Sequence, residues 1–403
     1  MISFAPNDDQ RMMLDAVGQL GKTLASRIRE IEKQRGVPED LRKTAHEMGL
    51  GLVAIPEALG GNGLGLGTAV LLEEEIAAGD PAAGFGFGGP AAMGYAVAEL
   101  GTEAQAKALL APFAEAQGYA RFGAVAWGEP KAHRQRAGLV TTASKEDGAW
   151  VLRGEKAYVA NADRADAFVV FAQIDETKGW DGVGAFVVKK GQKGLSVLSR
   201  STTLGLDAAS FGGIALDGVA VDDTDRLLGG ADFSAALLRF FVKWGLVIAA
   251  REVGLARAAF DTTKEYVATR QAFGKPIGHF QAVAFTLADR AMDVEAARAL
   301  VMRAAWAWDA AVPEHEALLA SAFAIAQSHE IAMRCGDDGV QLHGGAGFMR
   351  DYPVEKYMRD AKQLNVCGLP GGCADQLAAA VQMKRPLDLG LLLPTSESQS
   401  AFT

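Results

Sequence analysis

The hydrophobic pattern of this chain changes period twice, and this change constrains the fold more than any other feature. Residues 1–118 and the chain from Phe233 onward repeat apolar side chains at helical spacing, with long helical segments at Ala235–Arg270 and Gln281–Ala310. Residues 120–228 instead carry short β-branched and aromatic runs, separated by turns rich in Gly, Asp and Lys. The pattern predicts an α+β protein in four parts: an N-terminal helical domain over 1–119, a central antiparallel β domain over 120–230, a C-terminal four-helix bundle over 231–386 and a mobile tail over 387–403.

Local signals predict the ends of several elements. Asn7 marks the start of the first helix, and Thr102 and Pro112 mark the N-cap and the stop of a later one. The run Glu73-Glu74-Glu75 is interpreted as a solvated helix face, because charge runs most often lie in water. Strands are expected within Ala120–Trp127, Gly138–Ser144, Trp150–Leu152, Ala167–Ile174, Gly184–Val188 and Gly212–Leu216.

Composition narrows the class of partner and the compartment. The 403 residues carry a net charge of −9, which argues against a nucleic-acid partner because phosphate binding needs a basic surface. Three cysteines are too few for a disulfide framework, and six scattered histidines show no metal-ligand spacing, so no metal site is expected. The N-terminus lacks a signal-sequence pattern, and no uncharged apolar run approaches the roughly 18 residues of a membrane span. We expect a cytoplasmic protein that does not enter the membrane.

Several motifs follow one another along the chain. They are Pro56-Glu57-x-x-Gly60-Gly61, Gly128-Glu129-Pro130, Arg270-x-x-Phe273-Gly274, Gln341-x-x-Gly344-Gly345 and a helix with Tyr352-Pro-x-Glu-x-x-x-Arg359-Asp360-Ala361. Their order and spacing resemble the acyl-CoA dehydrogenases, a family of flavoproteins, over residues 5–385. The resemblance implies the family's helical, β, helical fold, FAD as the cofactor and an acyl-CoA thioester as the substrate. It also implies a homo- or hetero-tetramer with a related subunit, with electron-transferring flavoprotein as a candidate partner.

In that family each FAD lies between two subunits, so the resemblance assigns two sets of residues. The C-terminal set, which holds the adenine and pyrophosphate of a neighbour's FAD, is Arg270, Phe273, Gln281, Gln341, Gly344 and Gly345. The β-domain set, which surrounds the flavin ring, is Trp127, Gly128, Arg134, Tyr158 and Ala160. The C-terminal set matches the family pattern. The ring set departs from it, because Gly128, Ala160 and Pro370 stand where the family has threonine, and Arg134 where it has serine. These departures indicate a weakened ring pocket.

The family's catalytic base is absent from both positions where the resemblance would place it. The usual glutamate position, seven residues after Ala361, is Gly368, and the alternative position on the first long C-terminal helix is Trp244. Glu252 lies on that helix but eight residues further along, roughly 12 Å away. Cys367 has no neighbouring His or Lys in sequence to lower the pKa of its thiol, so it is interpreted as inert. No catalytic residue is assigned.

Four hypotheses about the function remain open at this point. The chain is the glutamate-less subunit of a heteromeric acyl-CoA dehydrogenase, or a self-sufficient dehydrogenase with a non-standard base, for which Asp207 is the first acid to inspect. It is otherwise a flavin oxidase or monooxygenase on the same fold, or a binding protein without flavin. Because a positioned base commonly contributes about 10²–10⁴-fold to a rate, the missing glutamate favours the first reading.

Overall fold

The computed structural model describes residues 4–130, 138–369 and 371–387. The predicted tail beyond Leu387, together with Arg134 and Pro370, lies outside the described residues. Seven helices precede the sheet: α1 (Asp8–Ser26), α2 (Ile28–Gln34), α3 (Glu39–Glu47), α4 (Gly65–Gly79), α5 (Ala83–Gly86), α6 (Ala91–Leu100) and α7 (Glu103–Ala114).

Capping boxes begin α1 and α7, as the sequence predicts. The Asn7 side chain accepts a hydrogen bond from the backbone of Gln10, and Thr102 does the same for Gln105, each glutamine bonding back to the cap residue. The predicted stop at Pro112 is wrong, because α7 continues to Ala114. A proline this close to a helix end costs only one backbone hydrogen bond, so the last turn can still form.

The central sheet contains eight strands and is mixed. Their bounds are β1 (Gly123–Ala126), β2 (Thr142–Glu146), β3 (Ala149–Ala160), β4 (Ala167–Gln173), β5 (Val183–Lys189), β6 (Leu195–Val197), β7 (Phe211–Val221) and β8 (Arg226–Leu227). The order is β6-β7-β3-β2-β4-β5-β8, with β1 also paired to β4. Most pairs are antiparallel, but β1 runs parallel to β4 along its length, and β2 meets β4 in parallel at one residue pair. The predicted antiparallel β domain is therefore present, and the parallel contacts of β4 with β1 and β2 are features that the sequence pattern did not indicate. A long connection allows β1 and β4 to run the same way.

Both faces of β4 are buried, which explains its continuous apolar sequence. Phe168 and Val170 belong to the apolar cluster within the sheet domain, whereas Val169 and Phe171 belong to the large cluster shared with the helices. The sheet is thereby fixed against the long helix Phe233–Thr269, because Phe171 stacks on Phe240 of that helix, with ring centroids 6.3 Å apart.

The chain after the sheet is helical, as the sequence predicts. Its elements are α8 (Phe233–Thr269), a short ribbon of β9 (Gln271–Ala272) and β10 (Lys275–Pro276), then α9 (Gln281–Asp309), α10 (Glu314–His343), α11 (Val354–Leu364) and α12 (Gly371–Gln382). Helix α10 contacts α8, α9, α11 and α12, and α8 also packs on α4 and α6. Length and composition alone would let α8 cross a membrane, but it lies in the helical core and most of its residues are buried there.

The expectation of a solvated face at Glu73–Glu75 is wrong. Glu74 is only 4% exposed, and Arg257 of α8 donates to it (2.8 Å) while Arg298 of α9 also donates to it (3.0 Å). Arg257 reaches Glu75 as well (2.7 Å). The acidic run forms the polar seam between α4 and the C-terminal helices, since buried carboxylates need cationic partners.

Candidate functional site

An open cleft of about 610 Å³ lies where α8 ends and α10 ends. Five of the six residues assigned to the C-terminal FAD set line it: Arg270, Phe273, Gln341, Gly344 and Gly345. The sixth, Gln281, is exposed at the start of α9 and does not line the cleft. Residues separated by some seventy positions in sequence therefore come together, as a shared ligand site requires.

The β9–β10 ribbon sets the position of Phe273. Phe273 and Gly274 form its two-residue turn, and both have positive φ angles of 50° and 80°. Turns of this hand match the twist of an antiparallel pair and favour glycine at the second position. The Phe273 ring is 95% exposed, and its closest aromatic neighbour is Phe280, with ring centroids 6.1 Å apart. An apolar ring held in solvent at the end of a tight ribbon is well placed to contact a ligand or a second chain.

Arg270 and the glycine pair supply the polar side of the cleft. The Arg270 side chain is exposed and has no hydrogen-bond or ion-pair partner among the described residues. Gly344 ends α10 with a φ of 57°, which explains a glycine there, and a Cβ on Gly345 would meet nothing within 4 Å. A free guanidinium beside accessible backbone suits phosphate oxygens, and Phe273 suits an apolar ring face. The cleft therefore fits the pyrophosphate and adenine end of FAD.

The described residues of the ring set lie at the end of β1 and along β3. Trp127 packs edge-on against Phe171 and Phe241, with centroids 5.0 and 4.9 Å apart, so much of this indole belongs to the core. Tyr158 is 70% exposed and has a φ of 57°, while Ala160 is half-buried at the end of β3. None of these residues lines the Arg270 cleft. Within one subunit the two sets are thus separate.

Close backbone packing explains why a glycine, and not only a residue without a hydroxyl, stands at position 128. Its carbonyl accepts a hydrogen bond from the backbone of Ala157 (2.9 Å). A Cβ at position 128 would lie 2.9 Å from the Ala157 carbonyl oxygen, closer than side chains normally approach backbone. The segment after β1 is therefore pressed onto β3 in a way that a threonine would disturb.

A buried lysine, which the sequence reasoning missed, holds this segment in place. Lys156 Nζ donates to Glu129 Oε1 (2.9 Å) and to the carbonyl of Trp127 (3.1 Å), and Glu129 accepts from two further backbone amides. Burial lowers the pKa of Lys156 to about 8. Burial would raise the pKa of Glu129, but Lys156 and the amides outweigh it, and the pKa lies below its usual value. The Glu-Pro motif thus acts as a clamp between β1 and β3.

At the usual base position the structure leaves little room for a side chain. A Cβ on Gly368 would lie 3.0 Å from a side-chain carbon of Ile248 and 3.2 Å from the Cα of Gly245, both on α8. The loop around Gly368 is held there by Trp244, whose Nε1 donates to the carbonyl of Cys367 (2.9 Å). Burial raises the pKa of the Cys367 thiol to about 12, in agreement with an inert thiol.

Trp244 nearly fills the space between α4, α6 and α8. Its ring is 6% exposed and packs on Phe85 and Tyr95, with centroids 6.3 and 5.7 Å apart. The remaining cavity measures about 40 Å³, space for only a few water molecules. Its polar lining includes Glu73 and Arg251. An acyl chain entering here would have to displace the indole.

The acidic residues near the vacated base position are all engaged. Arg251 binds Glu73 through Nε and Nη2 (2.7 and 3.1 Å), and among the described residues Glu73 is the only acid that lines the cavity. Glu252 is buried against His329. Asp207 lies outside the cavity, 3.7 Å from Arg359, and burial raises its pKa. The structure therefore does not place Asp207 where a base would act, and it points instead to Glu73, which sequence reasoning had assigned to solvent.

Comparison with protein families gives three matches in chain order. The N-terminal domain of acyl-CoA dehydrogenases matches residues 7–117, the middle domain residues 124–219 and the C-terminal domain residues 238–372. Together they span most of the chain. The family binds FAD and acts on acyl-CoA substrates.

Individual relatives agree with the family matches. The chain is 32% identical to the benzylmalonyl-CoA dehydrogenase of Aromatoleum aromaticum over 365 residues, covering 90% of this chain and 94% of that protein. It is 35% identical to a short-chain-specific acyl-CoA dehydrogenase of Clostridium acetobutylicum over 266 residues, covering 66% and 68%. The solved butyryl-CoA dehydrogenase of Megasphaera elsdenii superimposes with a TM-score of 0.86 at 27% identity, covering 95% of this chain and all of that one. The chain belongs to the acyl-CoA dehydrogenase family.

Proposed function

We propose that this chain is the subunit of a heteromeric acyl-CoA dehydrogenase that lacks the catalytic glutamate, and that it holds one end of an FAD whose ring lies in a related subunit. The single observation that carries the proposal is the contrast between its two sites. The vacated base position is packed against α8 and the acyl cavity is filled by Trp244, whereas the Arg270 cleft is open and its cation is unpaired among the described residues.

FAD, when bound, supplies the hydride acceptor for the family's α,β-dehydrogenation. In this proposal Arg270 binds pyrophosphate oxygens, Phe273 contacts an apolar part of the cofactor, and the amides near Gly345 bind from the α10 end. The base that removes the α-proton belongs to the partner chain. The related subunit completes a tetramer in the cytoplasm, and electron-transferring flavoprotein is the proposed electron acceptor. A solved structure reported with an electron-transferring flavoprotein of Acidaminococcus fermentans matches this fold with a TM-score of 0.85 at 27% identity.

Co-expression with a glutamate-bearing relative tests the proposal. We expect the complex to carry about one FAD per pair of chains, and Arg270→Ala to lower this content because a charge-assisted hydrogen bond contributes about 1.5–3 kcal/mol. Arg153→Ala serves as the matched control, since Arg153 forms an exposed ion pair with Glu146 on the sheet and should leave the FAD content unchanged. The purified chain alone should not be reduced by saturated acyl-CoAs.

A self-sufficient dehydrogenase is the second candidate, and one observation favours it. Within the part of the chain that the structure describes, Glu73 is the only acid lining the cavity beside Trp244, so it is the carboxylate there from which a base could be recruited if Arg251 moved. A lone chain that binds one FAD per subunit, is bleached by an acyl-CoA and loses this reaction in Glu73→Gln would replace the heteromer proposal.

A further inference from the structure

The loop of residues 365–369 lies between α11 and α12. Buried polar contacts from α8 and α10 hold this loop, and the proposed function does not use them. His329 Nε2 bonds to the carbonyl of Leu369 (3.0 Å), and His329 Nδ1 lies 2.5 Å from Glu252 Oε2. In the amide orientation that satisfies both of its ends, Asn365 donates to Glu252 Oε1 (2.8 Å). Glu252 and His329 therefore connect α8 and α10 to both ends of the loop.

Counting hydrogens shows that this arrangement holds one extra proton. The Leu369 carbonyl can only accept, so His329 Nε2 must carry a hydrogen. The contact between Nδ1 and Oε2 then needs a second hydrogen, which lies either on the imidazole or on the carboxyl. Without it, two acceptors would face each other in a site where Glu252 is fully buried and His329 is 5% exposed, and such a contact is strongly unfavourable.

We propose that Glu252 and His329 share a single proton that locks loop 365–369 onto α8 and α10, and that loss of this proton in alkaline solution releases the loop. A surface cleft of about 730 Å³ lined by His329 and Asn365 gives water access to the pair. Among the described residues, the other titratable groups that face it are Glu330 of α10, which lines the same cleft, Asp375 of α12, whose charge favours the protonated imidazole, and the Cys367 thiol in the loop.

The electrostatics agree with this direction. Burial raises the pKa of Glu252 above its ordinary value. Burial alone would lower the pKa of His329, but the Glu252 carboxylate outweighs it, and the pKa lies above its ordinary value. A group whose folded pKa is raised contributes stability that is fully present below the unfolded pKa and is lost as pH rises through the folded pKa. The loop should therefore be tight near neutral pH, where the pair holds its single proton, and loosen as the pH rises above neutrality.

Native-state hydrogen exchange of the loop amides tests the proposal on the full chain. Val366 and Cys367 donate backbone hydrogen bonds to the carbonyls of Gln363 and Leu364 at the end of α11 (3.2 and 2.9 Å), so their protection reports on how the loop is held against that helix. After correction for intrinsic exchange, protection should fall about tenfold per pH unit above the transition, as expected for one proton. In Glu252→Gln the side-chain amide can donate to a bare Nδ1 without titrating, so protection should become independent of pH. Glu316→Gln, which changes an exposed acid on the same helix that does not line this cleft, should behave like the wild type.

Wild-type protection that does not change between about pH 6 and pH 10 would overturn the proposal, as would a Glu252→Gln variant that titrates like the wild type. If Glu252→Gln does not fold, selective ¹⁵N labelling of the six histidines of the wild-type chain gives an independent reading. The His329 signal, assigned by its loss in His329→Gln, should change protonation above its usual pKa of about 6.5. A His329 signal unchanged from about pH 7 to pH 10 would also refute the lock. Neither readout depends on flavin or on a partner subunit, so this proposal and the proposed function fail separately.

Discussion

The residue type at position 368 is restricted by packing against α8. Gly368 is pressed against Gly245 and Ile248, so the absence of the glutamate is built into the packing of a loop on a helix. The sequence could identify the vacant position, because the motif before it fixes the count. It could not reveal that the space is closed, because Gly245 and Ile248 are more than a hundred positions away in sequence.

A substitution at this position should therefore be costly even when it is small. We expect Gly368→Ala to destabilise the chain by about 1–3 kcal/mol, since the added Cβ would lie 3.0 Å from Ile248 and 3.2 Å from Gly245 and force these neighbours apart. Gly372→Ala is the matched control, because a Cβ there meets nothing within 4 Å, and its stability should change little. Urea unfolding measures both. For the same reason Gly368→Glu should not create acyl-CoA dehydrogenase activity, and a variant that folds stably and turns over substrate would contradict the packing described here.

At the scale of whole elements, the sequence pattern predicted the positions of helices, because these depend mainly on neighbouring residues. Helix α8 was expected at Ala235–Arg270 and is observed at Phe233–Thr269, because the 3.6-residue period is written into the helix itself. The parallel pairing of β1 with β4 was missed, because strand partners are chosen by long-range packing. The seam at Glu73–Glu75 was missed for the same reason, since its arginine partners come from α8 and α9.

The ion pairs of the seam should contribute much of the free energy that holds α4 against the C-terminal helices. Glu74→Gln removes the charge that Arg257 and Arg298 share. Arg257 keeps its bond to Glu75 and both arginines are partly exposed, so we expect a loss of about 1.5–3 kcal/mol, as for hydrogen bonds to charged groups. Thermal unfolding should show a clear drop in midpoint. Glu103→Gln, which breaks an exposed ion pair with Lys107 on α7, should scarcely change it. Equal effects of the two substitutions would show that the seam is no stronger than a surface pair.

At the scale of the whole molecule, one surface exposes several large apolar side chains. Phe273 at the ribbon and Phe285 and Met292 on α9 expose 95%, 63% and 63% of their area. Apolar side chains this exposed on neighbouring elements commonly mark contacts with another chain. The sequence predicted the helices that carry them, but the exposure follows only from how α9 is turned in the bundle.

We therefore expect Phe285→Asp to weaken assembly while leaving the fold of the single chain intact. A charge placed in an apolar interface loses hydration without gaining a partner. Sedimentation or light scattering of the purified chain, with and without its related subunit, measures the effect, and circular dichroism checks the fold. Val197→Asp on edge strand β6, where the side chain is 44% exposed, is the control. Unchanged assembly in Phe285→Asp would place the interface elsewhere.

The contact between Gly368 and α8 also limits the routes by which this chain could acquire a catalytic carboxylate. A larger residue at 368 clashes while Trp244 and Gly245 hold the loop down, and removing Trp244 first leaves a hole in the core and an unpaired Cys367 carbonyl. Each single step is penalised before any benefit can arise. Mutational paths to a carboxylate at this position therefore cross a fitness valley. A directed-evolution library that changes positions 244 and 368 one at a time should return no active clones. Changing both positions together gives the loop space to move.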